Sequence, residues 1–192
     1  MEARVRSEIQ ALVHDENWAR ARMKLAASVA PDDVEYLALL AEVESGEGST
    51  DRAVEHYRKI LELKPGNRAA LYNLALALSD LEQHDHAVES LETLVELEGE
   101  SASLLNDLAG EYHSAGHYVP ALLAGARAES LATNEDERCT ARLHAAHALA
   151  DMGRGNEAAT RLHAMLAACT DACELRDDAT ALRDELGKKK SP

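Results

Sequence analysis

Aromatic and basic residues are scarce in this chain of 192 residues, and their scarcity argues against several classes of protein. Aromatic residues make up 3% of the sequence, and Phe is absent. Sandwiches and barrels need many β-branched and aromatic residues, so an all-β fold is disfavoured. Lys and Arg number 20 against 35 Asp and Glu, and the net charge of −15 would repel a phosphate backbone. The composition predicts a helical protein that does not bind nucleic acid.

Long apolar runs and paired cysteines are missing as well. No segment approaches the roughly 18 apolar residues of a membrane span, and the N-terminal segment MEARVRSEIQ has no apolar signal core. The three cysteines (Cys139, Cys169 and Cys173) are an odd number, which argues against a disulfide framework. These features predict a cytoplasmic location, with no membrane partner.

An internal repeat of 34 residues organises what the chain does contain. Pro31 and Pro65, two of only four prolines, are 34 residues apart. Five alanines recur along the chain with spacings of 34, 34, 34 and 37 residues: Ala19, Ala53, Ala87, Ala121 and Ala158. Each unit has an apolar run at helical spacing, a short polar or Gly-containing break, and a second such run. The pattern predicts repeated helix–turn–helix hairpins.

Further positions in each unit resemble those of the tetratricopeptide repeat (TPR) family. The first helix carries a large residue, Leu and a small residue at Leu37, Leu40 and Ala41, at Leu71, Leu74 and Ala75, and at Leu105, Leu108 and Ala109. Glycine precedes the turn at Gly48, Gly116 and Gly153. Small residues such as Ala41, Ala75, Ala109 and Ala146 would let the crossing helices approach to about 8–10 Å.

The resemblance implies an all-α fold, a right-handed superhelical solenoid of about five hairpins followed by a C-terminal capping helix. The expected repeats span about 1–33, 34–67, 68–101, 102–138 and 139–172. Residues 173–187 are expected to form the capping helix, and residues 188–192 a disordered basic tail.

Several local departures from the pattern carry their own expectations. Asp15 is a suitable N-cap for the second helix of the first unit. Glu82 stands where the turn glycine is expected, and Gly125 stands where a large residue is usual, which suggests a thinner packing layer. Thr133 with Asp136 resembles a weak capping box.

The stretch QHDHAVESL, which includes His84, Asp85 and His86, raises the question of a metal site. In the repeat register these residues fall in a turn and at the start of a helix that Asp85 could cap. A zinc site needs three or four converging ligands, and the sequence proposes no others there. The interpretation as a turn is therefore favoured.

Other pairs of metal-ligating residues are weak signals. The Gly116 break should separate His113 from His117, whereas His144 and His147 share a helix, and Cys169 and Cys173 are four residues apart. No phosphate-binding loop or catalytic motif is present. The sequence therefore predicts no catalytic residue, no cofactor and no metal site.

The TPR resemblance also implies a partner-binding wall, since the first helix of each TPR unit lines a concave groove. The corresponding residues here are Glu35, Ala38, Glu42, Tyr72, Leu76, Ser79, Asn106, Gly110, His113, Leu143 and His147, with Arg4 and Glu8 included if the first unit is regular. Tyr72 and Leu76 would hold an apolar anchor, and Asn106 would hydrogen-bond a peptide backbone. Glu35 and Glu42 would favour Lys or Arg in the ligand. Binding on the convex face stays an alternative.

Three functions follow as hypotheses. The first is an adaptor or scaffold that binds a peptide or helix of a partner protein. Apolar edges at a weak terminal unit could also allow a homodimer. The second is a small acidic TPR chaperone for secreted or assembly substrates. The third is a metal- or redox-responsive regulator that uses His144, His147, Cys169 and Cys173. A TPR clamp for C-terminal carboxylates is disfavoured, because only Asn73 matches a clamp position.

Overall fold

The computed structural model describes residues 3–28, 30, 33–168 and 175–188. In these residues the chain forms eleven α-helices and no strand, which confirms the predicted all-α fold of paired helices. No helix among them has the length and apolar character needed to cross a membrane. The chain divides into two compact units, Met1–Leu97 and Glu98–Pro192.

The first unit is built from three helical hairpins. Its helices are α1 (Ala3–His14), α2 (Trp18–Ala26), α3 (Val34–Gly46), α4 (Thr50–Leu63), α5 (Arg68–Asp80) and α6 (His84–Glu98). Polar side chains fix two of the helix starts: Asp33 accepts hydrogen bonds from the amides of Glu35 and Tyr36, and Asn67 accepts one from Ala70. The small residues predicted at the helix crossings are buried, namely Ala41, Ala53, Ala75 and Ala87.

The register of the first hairpin differs from the sequence prediction. Ala19 is exposed, and Ala21 is the buried residue, four positions after the N-cap Asn17. Ala53 lies four positions after its own N-cap, so the structural spacing is 32 residues rather than 34. The prediction that Asp15 is an N-cap was wrong, because its amide still donates to Ala11 O at the end of α1.

The turns inside the hairpins require left-handed backbone conformations. Gly48, Gly116 and Gly153 have φ of 79°, 80° and 76°, where glycine carries no Cβ penalty. Glu82 has φ of 57° and takes the same role in the third hairpin, as its position in the repeat suggested. Glu16, with φ of 53°, does so in the first hairpin, where no turn residue was predicted.

The residues of the QHDHAVESL stretch begin a helix, as the turn interpretation expected. Helix α6 starts at His84, which is half-buried, whereas His86 is exposed and Ala87 is fully buried. The prediction that Asp85 caps the helix was wrong, because Asp85 lies inside the first turn. A carboxylate there still interacts favourably with the positive end of the helix dipole.

The second unit contains the remaining helices. They are α7 (Ala102–Ser114), α8 (Tyr118–Leu131), α9 (Glu135–Asp151), α10 (Gly155–Ala168) and α11 (Arg176–Lys188). Helix α11 packs Ala179, Leu182 and Leu186 into one apolar cluster with α9 and α10, as a capping helix should. Helix α11 ends at Lys188. Pro31, Cys169, Cys173 and residues 189–192 lie outside the described residues.

Gly125 lies where α8 and α9 approach each other closely. A Cβ at this position would lie 3.1 Å from the carbonyl oxygen of Ala141 and 3.5 Å from Ala145 Cβ. Because the neighbouring atoms belong to helix backbone and to a small side chain, little space is left for a larger residue. This agrees with the thin packing layer expected at Gly125.

The start of α9 has a capping arrangement one residue later than predicted. Asn134 is the N-cap, and its side chain accepts a 2.8 Å hydrogen bond from the amide of Glu137. The Glu137 carboxylate in turn accepts hydrogen bonds from the amide and hydroxyl of Thr133. The predicted pair of Thr133 with Asp136 was therefore wrong, because Glu137 rather than Asp136 closes the arrangement.

Candidate partner-binding face

The predicted groove residues of the first unit lie on α3 and α5. Glu35, Ala38 and Glu42 are on α3, and Tyr72, Leu76 and Ser79 are on α5. Leu76 is 49% exposed. The other α5 residues and Ala38 are half-buried, and Glu35 is exposed.

Glu35 already has a cationic partner within the chain. Its Oε2 lies 2.7 Å from Nη1 of Arg6 on α1, with both side chains partly exposed. An exposed ion pair of this kind contributes little to stability and exchanges readily with other charges. Glu35 therefore stays available to a cationic ligand that displaces Arg6.

A cavity of about 420 Å³ opens within the first unit, and we name it the first-unit cavity. Residues from several helices line it, among them Val13, Trp18, Glu42, Asn73, Leu76 and Asp80. Its volume lies in the range of roughly 300–1,000 Å³ that is usual for ligand sites. The structure therefore brings Glu42 and Leu76 together with eight other lining residues that the groove prediction did not include.

Glu42 has an unusual position for a carboxylate. Its side chain is half-buried, and burial raises its pKa above the ordinary value. Within the described residues, no hydrogen bond or ion pair compensates its charge. The charged form of Glu42 is therefore under-solvated, and a cation in the cavity would stabilise it.

Tyr57 and Asn73 form the polar floor of the first-unit cavity. Tyr57 is 4% exposed, and its hydroxyl is hydrogen-bonded to the side chain of Asn73. Burial, followed by the negative charge of Glu42, raises the pKa of Tyr57 to about 12. Tyr57 therefore stays protonated, and Asn73 is held in place by it.

Trp18 forms an aromatic wall of the cavity because Gly46 has no side chain. A Cβ on Gly46 would lie 2.5 Å from Trp18 Cε2, which is far inside van der Waals contact. The absence of this atom lets the indole pack directly on the end of α3. Since Trp18 is the only tryptophan of the chain, it also provides a spectroscopic signal from this site alone.

Some of the residues that line this cavity could have been predicted from the sequence. Asn73, Leu76 and Asp80 are spaced by three and four residues, so they lie on one face of α5. That periodicity could have added Asp80 to the groove residues. Trp18 was missed because the first hairpin was aligned two residues out of register, and no local signal shows that α2 meets Gly46.

The structure corrects two predicted groove residues of the second unit. Asn106 is 5% exposed, and its Nδ2 donates a 3.0 Å hydrogen bond to the carbonyl oxygen of Glu137. Leu143 is 7% exposed and belongs to the apolar cluster with α10 and α11. Neither side chain is free to contact a ligand, because both are used in packing α9 against its neighbours.

Histidines gather between α7 and α9, which sequence spacing alone could not show. The rings of His113 and His147 are 5.6 Å apart, and His113 Nε2 lies 2.7 Å from an Asp151 carboxylate oxygen. His144 lies next to Gly110, where a Cβ would be 3.2 Å from its ring. His117, by contrast, is the N-cap of α8, so the turn does separate it from His113.

Burial makes His144 and His147 resist protonation. It is the main cause that lowers the pKa of His144 to about 4, with His147 and His113 contributing further. The pKa of His147 is also lowered, first by burial and then by His113. Among residues that the structure describes, no group of three His, Cys, Asp or Glu side chains is placed to hold a metal ion.

Solved structures with the same arrangement of helices are known. MamA from Desulfovibrio magneticus RS-1 is 19% identical, with a TM-score of 0.73 over 98% of this chain and 96% of that one. MamA from AMB-1 is 20% identical, with a TM-score of 0.72 over 94% and 98%. YrrB is 23% identical, with a TM-score of 0.63 over 83% and 78%. At these identities the likeness concerns the fold.

The sequence pattern of the tetratricopeptide repeat family matches residues 45–112, which include α4, the whole third hairpin (α5 and α6) and most of α7. Over these residues the chain resembles the tetratricopeptide repeat family, and its fold is like that of the solved TPR protein YrrB. No curated protein matches this sequence. Proteins of the TPR family are typically non-catalytic modules for protein interaction.

Proposed function

We propose that this TPR protein is a cytoplasmic, non-catalytic adaptor whose first unit binds a peptide or helix of a partner protein. The observation that carries the proposal is the first-unit cavity, where an exposed Leu76 lies beside the uncompensated Glu42. An exposed apolar residue within a concave, partly polar site is typical of a binding anchor. The solved TPR protein YrrB is described as having an unusual peptide-binding site, which is consistent with the proposal.

The proposed cytoplasmic location rests on the number of cysteines. The chain has three cysteines, and Cys139 is buried in the core of the second unit. An odd number of cysteines is unusual for secreted proteins that are held together by disulfides.

The groove assignment can be tested by capture of the partner from an extract of the native cell. We expect Leu76→Glu to reduce capture strongly, because a charge replaces the apolar anchor. Leu76→Glu combined with Tyr72→Ala should abolish capture. The matched control is Leu63→Glu at the end of α4, where Leu63 is 43% exposed and does not line the cavity. Far-ultraviolet circular dichroism should show unchanged helicity in all three variants.

The opposite result would assign the binding site elsewhere. If Leu63→Glu abolished capture and Leu76→Glu did not, the partner would bind through α4 rather than through the face of α3 and α5. If neither substitution reduced capture, the first unit would not be the binding site.

A chaperone function is the second candidate, and one surface feature favours it. Val119 and Leu123 are four residues apart on α8, and they are 53% and 65% exposed. Exposed apolar pairs of this kind can hold an unfolded substrate or a second copy of the chain. A chaperone would suppress aggregation of its substrate, and Val119→Ser with Leu123→Ser should remove that effect. An adaptor would have no such effect to lose.

A further inference from the structure

We infer that the first-unit cavity holds a lysine or arginine side chain of the partner segment. Glu42 and Asp80 would face its cation, and Trp18 and Leu76 would pack on its methylene stem. The inference rests on the proposed function, since it assigns the chemistry of the residue that the same face recognises.

The charges of the cavity select a cation over other occupants. None of the residues that line the cavity is basic, and the α3 and α5 faces each contribute a carboxylate, Glu42 and Asp80. A neutral occupant would exclude more water from Glu42 while leaving its charge uncompensated, which is unfavourable. A cationic group would instead offset the desolvation of Glu42 and satisfy a hydrogen bond to it.

The apolar walls select an occupant that has a long aliphatic stem. Val13 and Ala77 line the cavity together with Leu76 and the indole of Trp18. Lysine and arginine bury their methylene groups along such surfaces while the charged end stays near polar groups. Tryptophan is also the aromatic side chain with which a cation interacts most favourably. A simple metal or ammonium ion would leave these walls without a partner.

The position of Trp18 is built into the fold rather than adopted by chance. Gly46 leaves the space that the indole fills, and Asn73 is held by the buried Tyr57 at the floor of the cavity. The walls are therefore largely pre-formed, so binding requires little ordering of the site. The half-buried Glu42 also distinguishes the cavity from an ordinary acidic surface, whose carboxylates are fully solvated.

The test uses the full chain with its tryptophan indole labelled with ¹⁵N, because Trp18 gives the only indole signal. The probes are four capped tripeptides with alanine on both sides of a central lysine, arginine, norleucine or citrulline. Norleucine and citrulline keep the stem but lack the positive charge. We expect the lysine and arginine peptides to shift the indole resonance to saturation, and the two neutral peptides to shift it at much higher concentration.

Variants then assign the effect to the two carboxylates. Glu42→Gln with Asp80→Asn should weaken binding of the cationic peptides by about fivefold or more. The matched control, Glu55→Gln with Glu62→Gln, removes the same charge from exposed positions of α4 that do not line the cavity, and should leave affinity within about twofold. The single variant Glu42→Gln serves if the double variant does not fold, as judged by dichroism.

Three results would overturn the inference: equal shifts with neutral and cationic peptides, no shift with any peptide, or equal weakening by both pairs of substitutions. The proposed function fails separately. If Leu76→Glu abolishes partner capture while the cationic peptides do not bind, the binding face stands and the assignment of its ligand is wrong. If the peptides bind but capture survives Leu76→Glu, the cavity is real and the adaptor face lies elsewhere.

Discussion

The indole of Trp18 packs directly against Gly46, so that a Cβ added there would lie 2.5 Å from Trp18 Cε2. Trp18 is the first residue of α2, and Gly46 is the last residue of α3. This contact joins the first hairpin to the second and forms one wall of the first-unit cavity. The smallest possible side-chain addition should therefore disturb packing and binding together.

We expect Gly46→Ala to displace Trp18 and to lower the free energy of unfolding by about 1–3 kcal/mol, as overpacking usually does. Tryptophan emission should shift to longer wavelength, because the displaced indole meets more water. Gly66→Ala is the control, since a Cβ at Gly66 meets nothing within 4 Å and no positive φ is recorded there. An unchanged emission spectrum in Gly46→Ala would contradict the packing of Trp18 described above.

Asn106 gives a second prediction, which separates a structural role from a binding role. Asn106→Ala removes the hydrogen bond to the carbonyl oxygen of Glu137 and should cost about 1 kcal/mol in urea unfolding. Partner capture should stay at the wild-type level. Ser103→Ala, at an exposed position on the same helix, is the matched control and should be close to neutral. If Asn106→Ala lost partner capture but kept the stability of the wild type, Asn106 would be a binding residue after all.

His144 predicts how the protein responds to acid. Its pKa falls to about 4 on folding, so between about pH 6.5 and 4 the unfolded chain takes up a proton that the folded chain does not. The contribution of His144 to stability is therefore intact above this window and is lost as the pH falls through it. The loss is at most about 3 kcal/mol by pH 4.

The measurement is urea unfolding across that pH range. The glutamine of His144→Gln does not titrate in this range. The variant should therefore lose less stability than the wild type as the pH falls. His163→Gln, at an exposed position of α10, is the control and should keep the decline of the wild type. Identical pH profiles for wild type and His144→Gln would show that His144 is not the group responsible.

Gly125 predicts how tightly α8 and α9 pack. Gly125→Leu should destabilise the chain by roughly 3 kcal/mol, because the side chain must enter the space next to Ala141 O. Ala126→Leu, on the exposed side of the same helix, should change stability little. Equal stability of the two variants would mean that the helices separate easily at this point.

Helix pairing was predictable because it depends on local patterns. Small residues at crossings and turn residues at fixed offsets recur through the chain, and Ala41, Ala53 and Gly48 have the predicted burial and backbone conformation. The first hairpin was misaligned because the alanine pattern alone cannot place its turn. Glu16 takes the left-handed position there, which moves the start of α2 to Trp18.

The site was less predictable because it depends on contacts between distant segments. Positions carried over from the TPR family include Leu76 and Glu42, which both line the first-unit cavity. They could not show that Asn106 donates a hydrogen bond to the carbonyl oxygen of Glu137, or that Leu143 packs in an apolar cluster with α10 and α11. Such facts depend on which atoms of a neighbouring helix reach a position, and sequence spacing does not contain them.

The central claim is that the partner lies across the first-unit cavity, and site-specific photocrosslinking in the native cell tests it most directly. A benzophenone amino acid replaces Leu76 at the cavity or Leu63 at the end of α4, two exposed leucines of the same unit. We predict one discrete crosslinked partner from position 76, reduced in the Glu42→Gln background, and none from position 63. A partner crosslinked from position 63 but not from position 76 would contradict the account.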